Sequence, residues 1–136
     1  MADTLKFQVV TPTAVVYSQD VHMVTLPAVE GQIGIYPHHV PLLTRIVPGE
    51  VIITKNGQDE FLAIGGGLVE ITGESVAIVT DMAVAAKDID EAKAEEARQR
   101  AQTRLNEKIE NEEVATVNAM LARSLAQLKV KRRRRV

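Results

Sequence analysis

The sequence predicts a β-then-α chain: an antiparallel β part, closed as a sandwich or barrel, followed by an antiparallel two-helix hairpin. Three observations carry this reading. Apolar residues recur with a period of two up to about residue 84 and with a helical period from Asp88 onward. Turn residues separate the first runs at short intervals, and no helical stretch interrupts them, which argues against parallel βαβ units. Good helix formers fill nearly every position of the second part. Residues 1–86 are therefore expected to form the β unit and residues 87–136 the helical unit.

The β runs follow one another as "LKFQVV", "AVVYSQ", "VHMVTLPA", "EVIITK", "EFLAIGG", "GLVEITG" and "ESVAIVTD". Each is short and rich in β-branched residues, as half-buried strands are. Lys55-Asn56-Gly57-Gln58 puts Asn-Gly between two runs, the requirement of a type I′ hairpin whose central residues both take positive φ. Pro48-Gly49 is a second expected turn, with Gly supplying positive φ, and Thr72-Gly73-Glu74 a third.

The helical part opens with "DIDE", where Asp88 is the expected N-cap and Glu91 completes a capping box. Asp90, Glu91, Glu95 and Glu96 come early and Arg98, Arg100 and Arg104 late, in the sense that suits the helix dipole. Ala94, Ala97, Ala101 and Leu105 fall on one face. A break near "NEKIENEE" leaves Asn111 to cap a second helix. Its expected seam is Ala115, Ala119, Ala122 and Ala126, flanked by Leu121, Leu125 and Leu128. Small seam residues hold two helices weakly, a composition suited to opening and closing.

Composition limits the chemistry. In 136 residues there is no Cys and no Trp, which removes disulfides, thiolate metal sites and a cysteine nucleophile. Aromatics are only 3 %, too few for a base-stacking surface. No run is long and apolar enough for a transmembrane helix, and "MADTLKFQVV" enters the alternating pattern without a signal region, so a mature soluble protein is expected. The net charge of −2 is unevenly spread. Residues 1–84 hold three basic and nine acidic residues, a net −6; residues 85–136 hold thirteen basic and nine acidic, a net +4. Six of the basic residues lie in the last eight, "KVKRRRRV".

No catalytic constellation emerges. His38 and His39 are adjacent, so on an extended chain they point to opposite faces and cannot share one ion; His22 is distant in sequence. Gly65-Gly66-Gly67 runs into a strand rather than a helix, which suits a bulge or close backbone approach and not a phosphate loop. The basic tail suits an acidic protein partner better than nucleic acid, because the β part is acidic and the tail has no interleaved aromatics.

"EGQIGIYPHHVPLLTRIVPGEV", "FLAIGGGLVEI", "VAIVTDMAV" and "KDIDEAKA" closely resemble, in order, the epsilon subunit family of bacterial F-type ATP synthases. The block Glu30 to Leu43 is the most specific part. The resemblance implies a sandwich of about ten strands that binds the gamma subunit and rests on the ring of c subunits. The helical hairpin is implied to lie compact or to extend along gamma and block ATP hydrolysis, meeting an acidic segment of the beta subunit. On this basis Glu30, Gly31 and Gln32 are the expected c-ring contact, with Gln32 standing where some relatives carry an acid. His39, Leu42 and Leu43 are the expected gamma contact. Arg123 and the tail residues Lys129, Lys131, Arg132, Arg133, Arg134 and Arg135 are the expected cations for the beta segment.

Some relatives bind regulatory ATP through an Ile/Leu-Asp-x-x-Arg-Ala motif. Ile89, Asp90, Lys93 and Ala94 match it with Lys for Arg, and Arg100 and Arg123 match supporting positions; Val84 and Gln127 stand where strong binders have an acid and an arginine. The resemblance implies a non-catalytic rotor subunit without a metal or catalytic cofactor, peripheral on the cytoplasmic face of the bacterial plasma membrane and held there only through its complex. The rival reading is a free-standing β-sandwich adaptor whose basic tail binds nucleic acid.

Overall fold

The computed structural model describes residues 3–107 and 109–133. Ten strands come first: β1 (Leu5–Val10), β2 (Val15–Val21), β3 (Met23–Ala28), β4 (Gly31–Ile35), β5 (Leu42–Ile46), β6 (Gly49–Lys55), β7 (Gln58–Ile64), β8 (Gly67–Ile71), β9 (Ser75–Thr80) and β10 (Ala83–Ala85). A 3-10 turn, Ala86–Asp88, leads to α1 (Glu91–Leu105) and α2 (Asn111–Arg133). The expected β-sandwich followed by a helical hairpin is what forms.

Hydrogen-bonded neighbours run in the order β10-β7-β6-β3-β5-β8-β9-β1-β2, with β4 pairing β3. Strand β3 is shared between layers: Met23 to Thr25 pair with β6, whereas Ala28 at its other end pairs with Ile46 of β5. The sheet thereby folds over and encloses one apolar core. Phe7, Val9, Val24, Leu26, Ile35, Ile53, Ile64, Val69 and Ile78 are fully buried there, the inward half of each alternating strand. All pairings are antiparallel except β1 with β9. That exception is possible because the whole intervening chain serves as the crossover that a parallel pair requires.

The turns test the local chemistry. Asn56 (φ 54°) and Gly57 (φ 77°) take the left-handed conformation expected between β6 and β7. Gly49, by contrast, is not among the positive-φ residues and begins β6; a Cβ there would lie 3.1 Å from Pro27, so its smallness serves packing. In the glycine triplet, a Cβ on Gly67 would sit 1.9 Å from the Val79 carbonyl oxygen, the expected close backbone approach.

The helices correct three expectations. Asp90, not Asp88, caps α1: its Oδ1 accepts the Lys93 N–H at 3.1 Å, while Asp88 closes the 3-10 turn. Asn111 lies inside α2, because the Glu110 carbonyl already accepts the Val114 N–H at 3.0 Å. On α2 the expected alanine seam is buried only towards its end: Ala126 is buried and Ala122 half-buried, but Ala115 and Ala119 are exposed. Val117, Ser124 and Leu128 are buried and Leu121 half-buried at helical spacing, and Ser124 lines the same depression as Ala94 and Ala97 of α1. Valine and leucine remove more apolar area from water than alanine, which favours burying their side of the helix. The hairpin is antiparallel: Arg104 at the end of α1 pairs with Glu113 at the start of α2, and Arg132 pairs with Glu91 and Glu95.

Candidate functional site

The residues expected to be functional fall on two separate surfaces. The first is the outer face of β5, β8 and β9. Ladder register places Arg45, Leu68 and Val79 in one row and Leu43, Glu70 and Ala77 in the next. Leu43, Leu68 and Val79 are 66 %, 50 % and 60 % exposed, so a connected apolar band faces solvent where alternation alone would put polar residues. Leu42 is also exposed but turns to the opposite side of β5, where it pairs with Ile71. The expected pair Leu42 and Leu43 is thus split between two faces.

The β3–β4 hairpin ends in an exposed tip, Val29 to Gln32, with Gly31 at φ 126°. Glu30, Gly31 and Gln32 are all brought outward there. Gly34 makes no turn of its own; it lies within β4, where a Cβ would come 2.8 Å from the Met23 methyl. His38 sits in a turn with Pro37 and His39 follows it, so the pair does not run as an extended segment. His38 has φ 69° and its Nε2 lies 2.9 Å from Asp3 Oδ2, whereas His39 Nδ1 bonds the Val40 carbonyl at 2.6 Å. The two rings are held by different local partners, and His39 is half-buried.

The second surface is where α2 lies across β6, β7 and the 3-10 turn. Val130 is fully buried in a small cluster with Ala63, Ala86 and Ile89, separate from the sandwich core. Around it the tail cations are paired within the chain. Arg123 Nη1 lies 3.6 Å from Asp81, Lys131 Nζ donates to the Ala86 carbonyl at 3.4 Å, and Arg132 reaches Glu91 at 3.2 Å and Glu95 at 3.1 Å. Arg133 Nε donates to Glu50 Oε2 at 2.8 Å, and its guanidinium stands 5.4 Å over the Phe61 ring. Lys129 is exposed, and Arg134 and Arg135 lie outside the described residues. Glu95 is held below the usual carboxylate range, first by the hydrogen bond from Arg98, with Gln99 and the charge of Arg132 adding to it.

The nucleotide-motif residues are only partly assembled. Lys93, Ala94 and Arg123 line one open depression of about 340 Å³, with Gln127 and the Asp81 partner of Arg123. Ile89 is buried in the apolar cluster and Asp90 caps the helix. Arg100 lines a different depression, on the outer side of α1 with Glu96 and Thr103. Among the described residues no group of three or more His, Cys, Asp or Glu is arranged to hold a metal ion, and no helix is long and apolar enough to cross a membrane.

Glu50 is a buried charged residue that the sequence did not single out. It precedes the apolar residues Val51, Ile52 and Ile53 of β6, where it reads as an ordinary strand-start polar residue, and its partner is far along the chain.

Comparison with known proteins agrees with this geometry. Residues 4–86 match the family described as ATP synthase, delta/epsilon chain, beta-sandwich domain, and residues 87–132 match its long alpha-helix domain. The chain is 43 % identical over 128 residues to the ATP synthase epsilon chain of Halorhodospira halophila, covering 93 % of this chain and 91 % of that one. It is 40 % identical over 131 residues to the epsilon chain of Herpetosiphon aurantiacus, covering 96 % of each. Among solved structures, a chain of the Euglena gracilis mitochondrial ATP synthase shares the fold with a TM-score of 0.75 at 19 % identity, over 93 % of this chain and 79 % of that one. A chain of the Tetrahymena thermophila central stalk and c-ring structure aligns with a TM-score of 0.64 at 14 % identity, over 95 % and 97 %. The chain therefore belongs to the delta/epsilon chain family of ATP synthase, as an epsilon-type, non-catalytic subunit of that complex.

Proposed function

We propose that this chain works in the central stalk as a rotor part with a detachable brake. The sandwich couples the c ring to the catalytic head through gamma, and the C-terminal helices inhibit ATP hydrolysis when they leave the sandwich. One observation supports this most strongly: the exposed apolar band on β5, β8 and β9 and the α2 docking face on β6 and β7 are different parts of the sheet. A subunit built this way can keep hold of gamma while its helices move.

In this reading Leu43, with Leu68 and Val79, packs on gamma, and the Glu30–Gln32 tip meets polar loops of the c ring. The tail cations, paired inside the chain in the compact form, turn to an acidic segment of beta in the extended form. The complex would lie on the cytoplasmic face of a bacterial plasma membrane, driven by protons or sodium according to other subunits. Regulatory ATP, as a proposal, would enter the depression lined by Lys93 and Arg123 and bridge the two helices. Lysine offers no forked guanidinium there, so weak binding is expected.

Co-purification decides the docking half. The wild-type chain should carry gamma with it, and Leu43→Asp should lose gamma while keeping its fold, because a charge in an apolar contact has no partner. Retention of gamma by Leu43→Asp would move the contact elsewhere. Binding of duplex nucleic acid with a steep salt dependence, and no binding of gamma, would favour the adaptor reading instead.

A further inference from the structure

We infer that Glu50 makes docking of α2 conditional on Arg133, so that an anionic partner able to take Arg133 expels the helix. Glu50 lies on the outer face of β6, opposite Ala63, and is 3 % exposed with the helices in place. Its Oε2 accepts from Arg133, and its Oε1 has no hydrogen-bond partner among the described residues. The covering cation is itself half exposed, and its guanidinium stands over the ring of Phe61, which packs against the Val130 cluster.

The two partners are therefore unequal. Without Glu50, the guanidinium can still reach water. Without Arg133, the carboxylate stays buried with neither oxygen paired among the described residues, unless α2 lifts and lets water in. A buried charge that loses its sole counter-ion is costly, whereas a pair replaced by apolar side chains is often neutral or better. An apolar residue at position 50 would simply extend the Ala63–Val130 contact. Glutamate instead makes the closed form depend on where Arg133 is.

This deepens the braking role proposed above, yet its test needs only the isolated full chain. The chain has no cysteine, so spin labels on Gln58→Cys and Leu125→Cys report the distance between β7 and α2 without background. Arg133→Met keeps the stem and removes the donor; it should lower the closed-to-open ratio about tenfold or more. Glu50→Met should hold that ratio within about threefold of wild type or raise it, and the double variant should recover closure. Polyglutamate peptide should open the wild-type chain and leave Glu50→Met closed. A closed Arg133→Met, a double variant as open as Arg133→Met, or equal response of wild type and Glu50→Met to the peptide would overturn the inference. None of these results touches the stalk role, which rests on gamma binding and on hydrolysis by the assembled complex.

Discussion

Val130→Ala is expected to release the helices without weakening the sandwich. Val130 is fully buried among Ala63, Ala86 and Ile89, and this cluster shares no buried residue with the sandwich core. Truncation removes two carbons, each worth about 0.8 kcal/mol on burial, for a loss of about 1.6 kcal/mol before any cavity term. Alanine also raises helix propensity by a few tenths of a kcal/mol, a gain shared by both states when α2 undocks as an intact helix. At 1.4 kcal/mol per decade the closed-to-open ratio should fall at least about tenfold. Label distances between positions 58 and 125 measure the ratio, and urea unfolding followed on the sandwich measures the rest. Closure at the wild-type level, or a sandwich weakened as much as the docking, would refute the idea of two independent clusters.

Other perturbations test other joints. Gly67→Ala should cost the sandwich about 3 kcal/mol by overpacking, since its Cβ would meet the Val79 carbonyl oxygen at 1.9 Å; the urea midpoint reads this. Tyr17 is pushed from its usual 10.0 to about 12, first by burial and then by the Glu60 carboxylate. The folded state thus holds the phenolic proton more tightly than the unfolded one, so this stability is intact below pH 10 and lost as pH rises towards 12. Denaturation across that range should be flatter in Tyr17→Phe than in wild type, and equal slopes would remove Tyr17 as the cause. For nucleotide, calorimetry at millimolar ATP should show tighter binding by Lys93→Arg than by wild type; no heat from either variant would remove the depression as a site.

Much of this architecture is written locally. Seven alternating runs became β1, β2, β3, β6, β7, β8 and β9, because a half-buried strand needs only its own period. The remaining three strands came from family likeness alone. Strand β4, "GQIGI", has two glycines, β5 is five residues with adjacent leucines, and β10 is Ala-Val-Ala, so none shows a period long enough to read. Asp88 and Asp90 offer the same capping chemistry two residues apart, and only the 3-10 turn before α1 selects Asp90. The α2 stripe was misread because alanines mark several faces of that helix, and burial follows the face with the most area to hide. Pairings such as β1 with β9 and Glu50 with Arg133 have no local signature, since each depends on the finished fold.

The site divides in the same way. Glu30, Gly31 and Gln32 are singled out through the family likeness, and they do lie on an exposed hairpin tip. That the tail cations already have partners inside the chain was not legible, because those partners lie on β6, α1 and the β9–β10 turn.

The most direct measurement is ATP hydrolysis by the assembled complex, with the full chain and with a chain ending at residue 87. If the sandwich couples and the helices brake, the shortened chain should still assemble with gamma and hydrolysis should rise; removing only residues 129–136 should give part of that rise. An unchanged rate in a complex that still contains the shortened chain would contradict the brake.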